Sequence, residues 1–280
     1  MFHYDFMQNA FAAGTIVAVV SSLVGYFLVL RRQTFAGHAL AHAGFTGATG
    51  AVLVGASPFW GMALMTVAAG IGMGAQNERI AHRDVAIGIV LAFALGLGLL
   101  FLHFFTSYAT EATALLFGNV LAVDATTVWT LVALGLASLT LLAGISRPLI
   151  FASLQPELAE AKGVPLRLYS MLFLAIVALA TAECAQIVGV LLVFALMVGP
   201  AAAAQALTTR LTSGLLLACL LGLLETWAGI TFAFYTDWPT SFWIASLSAG
   251  IYAITTLSQG QSSRMIGPRR AAAANANLSA

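Results

Sequence analysis

Residues 169–206 read YSMLFLAIVALATAECAQIVGVLLVFALMVGPAAAAQA, with no lysine or arginine and a single carboxylate, Glu183. About 20 apolar residues are enough to span a bilayer as a helix. In hydrocarbon every backbone N–H and C=O must be bonded within the segment, so this run is helical. It reads either as one long helix or as two short ones, 169–182 and 186–206, turning near Glu183. The choice sets the side of the membrane on which everything after it lies.

The basic residues choose. Similar apolar runs occupy 9–30, 38–55, 59–76, 85–105, 126–145, 212–235 and 240–257. They are bounded by charge or by turn residues such as Ser57-Pro58, Glu78 to Asp84 and Asp237-Trp238-Pro239. With the N-terminus outside and a turn near Glu183, the inner connections are 31–37, 77–84, 146–168, 207–211 and the tail from 258. These hold all 11 Lys+Arg of the chain, a full positive-inside distribution. A single helix over 169–206 would separate Arg210 and the basic tail from the other arginines across the membrane. The spacing therefore predicts an all-α polytopic membrane protein of nine spans, with eight as the alternative, an outer N-terminus and a cytoplasmic C-terminus. Asp5, Glu111, Asp124, Glu183 and Asp237 then fall outside.

Composition excludes the other classes. Of 280 residues 61% are apolar and 8% charged, with a mean hydropathy of +0.97 and a formal charge of +1. A soluble domain carries about a quarter charged residues, and a nucleic-acid binder needs a basic surface. Cys184 and Cys219 cannot build a disulfide framework. The first run follows Asp5 with no basic segment before it, so it reads as a retained span rather than a cleaved signal. Residues 1–260 form one transmembrane domain. Within it, 106–125 is an outer loop whose apolar stretch 114–118 suggests a short helix on the outer surface. Residues 146–168 form the longest inner loop, and the low-complexity segment 261–280 is a disordered tail.

The chemistry lies in few residues. The only lysine, Lys162, stands in Glu-Ala-Lys-Gly, so there is no phosphate-binding Gly-Lys-Ser/Thr and no ATPase in this chain. His38 and His42, in GHALAHAG, are one helical turn apart on one face. Imidazole is the commonest ligand for late first-row divalent cations, and ionisable groups inside a membrane are costly and usually functional. The pair therefore reads as a metal site, with hydrogen bonding to neighbouring helices or the lining of a water-filled vestibule as the alternative. Glu225 is the carboxylate that falls well inside a span; it either is protonated and hydrogen-bonded or joins the pathway as a further metal contact. Gly37, Ala41, Gly44, Ala48 and Ala51 form a small-residue stripe beside the histidines, suited to packing within the subunit or to a subunit interface. In the inner loop, Gln155 precedes Pro156 at a first helical position and Glu157 in the first turn, and Gly163 and Pro165 stop the helix. So short a helix is marginal in water unless it docks on something.

Three stretches resemble the permease subunits of the ABC-type importers for zinc, manganese and ferrous iron. Leu30-Arg-Arg-Gln-Thr-Phe-Ala-Gly-His38-Ala-Leu-Ala-His42-Ala43 is similar to the family's Arg-Arg…Gly-Asp-Ala-Leu-Ser-His-Ala segment. Gln155-Pro156-Glu157-Leu158-Ala159 to Gly163-Val164-Pro165 is similar to its Asp-Pro-Glu-x-Ala…Gly-Leu/Val-Pro loop. Val188-Gly189-Val190-Leu191-Leu192 to Gly199-Pro200-Ala201-Ala202 is similar to its Val-Gly-x-Leu-Leu…Pro-Ala-Ala run. The order and spacing hold over roughly 10–257.

The resemblance implies a homodimer in the bacterial plasma membrane, a cytoplasmic ABC ATPase, an extracytoplasmic metal-binding protein and no permanently bound cofactor. It also implies that Gln155, Pro156, Glu157, Leu158, Ala159 and Gly163 couple to the ATPase. It maps the family's metal contacts onto His38 and His42, with histidine replacing aspartate at the first. Two copies would then present four imidazoles, which suit tetrahedral Zn2+ better than Mn2+. Zinc is accordingly the expected cargo, with manganese or iron as the alternative. A stand-alone channel or secondary transporter and a membrane-embedded enzyme or sensor are the competing readings. Both would be expected to carry more intramembrane titratable groups.

Overall fold

Backbone groups with no water to bond must close on themselves, and the apolar runs do so as helices. The computed structural model describes residues 4–75, 80–105, 115–118 and 120–276, and the side chains of these except 80–83, 86 and 259–276. The helices are α1 (Asp5–Leu30), α2 (Thr34–Leu53), α3 (Pro58–Ala75), α4 (Ile80–His103), α5 (Ala125–Leu154), α6 (Pro156–Ala161), α7 (Leu166–Val188), α8 (Val193–Leu207), α9 (Leu211–Thr236) and α10 (Thr240–Ala276). A single 3₁₀ turn covers Val120–Ala122, and no strand occurs among the described residues. Six segments are long and apolar enough to cross a membrane: α1, α3, α5, α7, α9 and Thr240–Ser258 of α10. Val193–Leu207 and Ile87–His103 are apolar but shorter.

Several boundaries depart from the sequence reading. The break in the 169–206 run falls at Gly189 rather than at Glu183, because Gly189 takes φ +83°, ψ 156°, a conformation open essentially to glycine alone. The first of the two helices therefore continues to Val188 and carries Glu183 inside it. Within segment 115–118, residues 115–117 are helical, as the sequence suggests, and the segment plugs that break. Val190 and Leu191 N–H donate to the Leu115 and Leu116 carbonyls, each at 3.2 Å, and Ser241 Oγ donates to Phe117 O at 2.6 Å. Groups freed by the broken helix are thereby satisfied by protein, as irregular backbone at membrane depth requires. Helix α5 runs past Arg147 and Pro148 to Leu154, so the inner loop of 146–168 is largely helical. Helix α10 extends to Ala276, through much of the segment for which the sequence predicts disorder; residues 277–280 lie outside the described ones.

Helices α1 and α7 form the middle of the bundle. α7 packs on α2, α3 and α5, and α1 on α5, α8 and α9, while α10 closes on α8 and α9. Small residues permit the contact: a side chain at Gly25 would collide with the Met197 carbonyl, and one at Gly70 with the Leu174 carbonyl. The stripe beside the histidines is buried in the same way. Gly37 faces Leu28 of α1, and Gly44 faces Met62 and Thr66 of α3, which is packing within one subunit. The ends of α1, α5 and α8 and the start of α7 lie together. Arg31 reaches both Ser153 and the Phe173 ring, and Gln205 Nε2 donates to Tyr26 O at 2.7 Å. The basic residues that flank these ends share one end of the bundle. At the opposite end Asp124 caps α5, accepting from Thr127 N–H at 2.9 Å. The Thr127 side chain first, and then this N–H, hold its carboxyl below the usual carboxylate range.

Candidate metal site and coupling segment

The site begins at the turn between α1 and α2. Arg32 N–H donates to Val29 O and Gln33 N–H to Leu28 O, both at 3.0 Å, with Arg32 left-handed at φ +54°. These paired bonds satisfy the last carbonyls of α1 in three residues. Gln33 O then accepts from Ala36 and Gly37 N–H, so α2 starts at Thr34, one turn before His38. The next helical turn brings His42 under His38. Their ring centroids are 4.8 Å apart, nearly perpendicular, and the His38 ring lies 5.5 Å from that of Phe194 on α8. His38 is half-buried and His42 is 6% exposed, with no hydrogen-bond partner for its Nδ1 among the described residues. Thr46, a turn further on, donates to the His42 carbonyl at 3.3 Å and to Ala94 O of α4. The α2 face is thus held between α4 and α8.

Two ring nitrogens on one face can share a divalent cation, leaving its other positions to water or to ligands from elsewhere. Among the described residues no group of three or more His, Cys, Asp or Glu is placed to hold a metal ion. Glu225 does not join the histidines: it stands on α9, which packs on α1, α8 and α10. It is 1% exposed, with neither carboxylate oxygen hydrogen-bonded among the described residues. The sequence reading missed Glu183. It is not an outer acid but wholly buried, accepting from Ser138 Oγ of α5 at 3.1 Å. Its neighbour Gly189 is the signal that could have moved the helix end past it. Glu111 lies outside the described residues.

The residues for which the resemblance implies coupling lie in and beside α6, the short helix that the sequence predicts there. Gln155 ends α5 and begins α6, Pro156 takes the first helical position, and Gly163 at φ +77° stops it. Gly163 N–H donates to Glu160 O at 2.9 Å and Val164 N–H to Ala159 O at 3.0 Å, the same closure that ends α1. Ala159 is buried against the bundle, while Leu154, Leu158 and Leu168 are exposed around the helix.

Comparison with known proteins identifies the family. The ABC 3 transport family matches residues 3–259. The manganese transport system membrane protein MntC of Halalkalibacterium halodurans is 33% identical over 253 residues, covering 90% of this chain and 86% of that protein. The manganese import system permease protein ScaB of Streptococcus parasanguinis is 29% identical, covering 90% of each. The solved structure of PsaBC from Streptococcus pneumoniae in complex with Fab superposes with a TM-score of 0.80 at 28% identity, covering 90% of this chain and 91% of that one. This chain belongs to the ABC-3 transport family, as a multi-pass permease of the bacterial inner membrane.

Proposed function

We propose that two copies of this chain form the membrane pathway of an ATP-driven importer of a divalent metal, with manganese as its cargo. The observation that carries the reading is the His38–His42 pair, one turn apart with ring centroids at 4.8 Å on a helix held between two others. An extracytoplasmic binding protein delivers the ion, and a separate cytoplasmic ATPase docks on α6. The N-terminus is outside, and the chain crosses the membrane nine times. Counting 1.5 Å per residue from Thr34 puts the histidines about 6–12 Å from the inner boundary. Outer acids Asp5, Asp124 and Asp237 raise the local cation concentration, screened over about 8 Å at physiological salt.

Manganese is supported by relatives whose names carry that metal. Zinc is the second reading, supported by His38 where the family carries aspartate. Four imidazoles from two copies would suit tetrahedral zinc, whereas manganese prefers oxygen donors, which water would have to supply. Either ion must be released, so the ligands come together in one conformation only. The test is uptake of Mn2+, Zn2+ and Fe2+ by cells carrying the wild type, His38→Ala and His42→Ala, with membrane insertion confirmed. Uptake should fall to background in both variants, and undiminished uptake in both would remove the ligand assignment. Wild-type zinc uptake above manganese would move the cargo to zinc. A rise of manganese over zinc in His38→Asp would tie the selectivity to that position. Uptake that persists without the ATPase would favour a stand-alone channel.

A further inference from the structure

The turn between α1 and α2 joins the histidine pair to the segment that ends in α6. Arg31 closes α1, and three contacts of its side chain bear on this turn. Nε donates to Gln33 Oε1 at 3.3 Å, Nη1 donates to Ser153 Oγ at 3.1 Å, and Cζ lies 5.4 Å from the centroid of the Phe173 ring. A guanidinium is a rigid planar fork, so one group holds three elements in one geometry, and its flat face suits an aromatic ring.

Each partner is itself held. Gln33 is buried, and its carbonyl closes the first turn of α2, five residues before His38, a rise of about 7.5 Å. Ser153 sits in the last turn of α5, where its hydroxyl also bonds Leu149 O at 2.5 Å. Two residues later comes Gln155, the residue shared by α5 and α6. A displacement of α6 therefore reaches Ser153 through the end of one helix, and reaches α2 through one guanidinium. The short hydrogen-bonded turn at Arg32 leaves little slack on the other side.

We propose that Arg31 is a positioning residue that carries movement of α6 to the His38–His42 pair. The proposal rests on the importer reading above. When α6 shifts with its ATPase, the bridge draws the start of α2 with it. The His38 ring then moves against Phe194 on α8, and this opens or closes the pair. Arg32, the next residue, is exposed and provides a charge-matched control.

The experiment uses the complete permease–ATPase complex in proteoliposomes, with Mn2+ and Zn2+ uptake and ATP hydrolysis measured on the same sample. Arg31→Ala should lower the uptake rate by roughly 2- to 30-fold, the range of a coupling mutation, with ATP hydrolysis and the half-saturating metal concentration unchanged. Arg31→Lys, which keeps the charge and loses the fork, should recover part of the rate. Ser153→Ala, a small change if Arg31→Ala fails to assemble, should act in the same direction. It should add nothing when combined with Arg31→Ala. Arg32→Gln should match the wild type. Wild-type uptake with normal uptake in Arg31→Ala and Ser153→Ala would overturn the proposal alone. So would a parallel loss of uptake, hydrolysis and melting temperature, which marks a structural role. No uptake of either metal by the wild type would instead overturn the importer reading on which it rests.

Discussion

Glu183 is enclosed by α1, α5 and α7, and Ser138 is the side chain that meets it. A carboxyl group deprived of water needs donors, and a buried oxygen left without one costs more than the hydrogen bond was worth. Ser138→Ala should therefore lower stability by about 1–3 kcal/mol, read as a drop in melting temperature of the purified permease. In a Glu183→Leu background the same serine change should cost little, since no polar group is then stranded. Equal losses in the two backgrounds would show that Ser138 serves packing and not the carboxyl. The histidines were readable from the sequence because i, i+4 spacing on a helix is a local rule. Glu183 was not, because its side depended on where a distant break fell.

The decisive element is the break between α7 and α8. Gly189 holds φ +83°, and a Cβ there would run into the backbone of Phe117 and Gly118, so any side chain meets both strain and collision. Gly189→Ala should cost about 1–3 kcal/mol from conformation alone and displace segment 115–118. Thermal melting and protease accessibility of the 105–120 connection would check it. Melting unchanged from the wild type would mean that the break is set elsewhere. Gly163 also has a positive φ, yet among the described residues nothing stands near the place of its missing side chain. There the residue only ends α6, a function the run from Pro156 to Pro165 states locally.

Among the described residues, four of the five tryptophans and the basic residues that flank helix ends lie at opposite ends of the bundle. The fifth, Trp227, stands within α9 and donates to Thr15. Trp60 opens α3, Trp129 stands near the start of α5, and Trp238 and Trp243 flank the α9–α10 turn with their rings stacked at 5.6 Å. Arg31, Arg32, Lys162, Arg167 and Arg210 flank the other ends. Basic residues stay on the cytoplasmic side, and tryptophan favours a membrane interface. A reporter fused after Arg270 should then be active only in the cytoplasm, and one inserted at Gly55, in the turn between α2 and α3, only outside. The reverse pattern would overturn both the orientation and the placement of the histidines in the inner half of the pathway.

Hydropathy along the chain is enough for an all-helical membrane protein, because hydrocarbon leaves a backbone no alternative to internal bonding. Turn residues placed α6, and helical spacing paired His38 with His42, since both rules act within one or two turns. Contacts between distant segments settled the rest. Whether the Gly37–Ala51 stripe faces its own subunit depends on Leu28, Met62 and Thr66, and the position of the α7–α8 break depends on the plug at 115–118. The burial of Glu183 depends on α5 crossing it, and the link from α6 to α2 depends on Arg31 finding Ser153 across 122 positions of sequence. Those are packing outcomes, in which the partner's place in space matters and its distance along the chain does not.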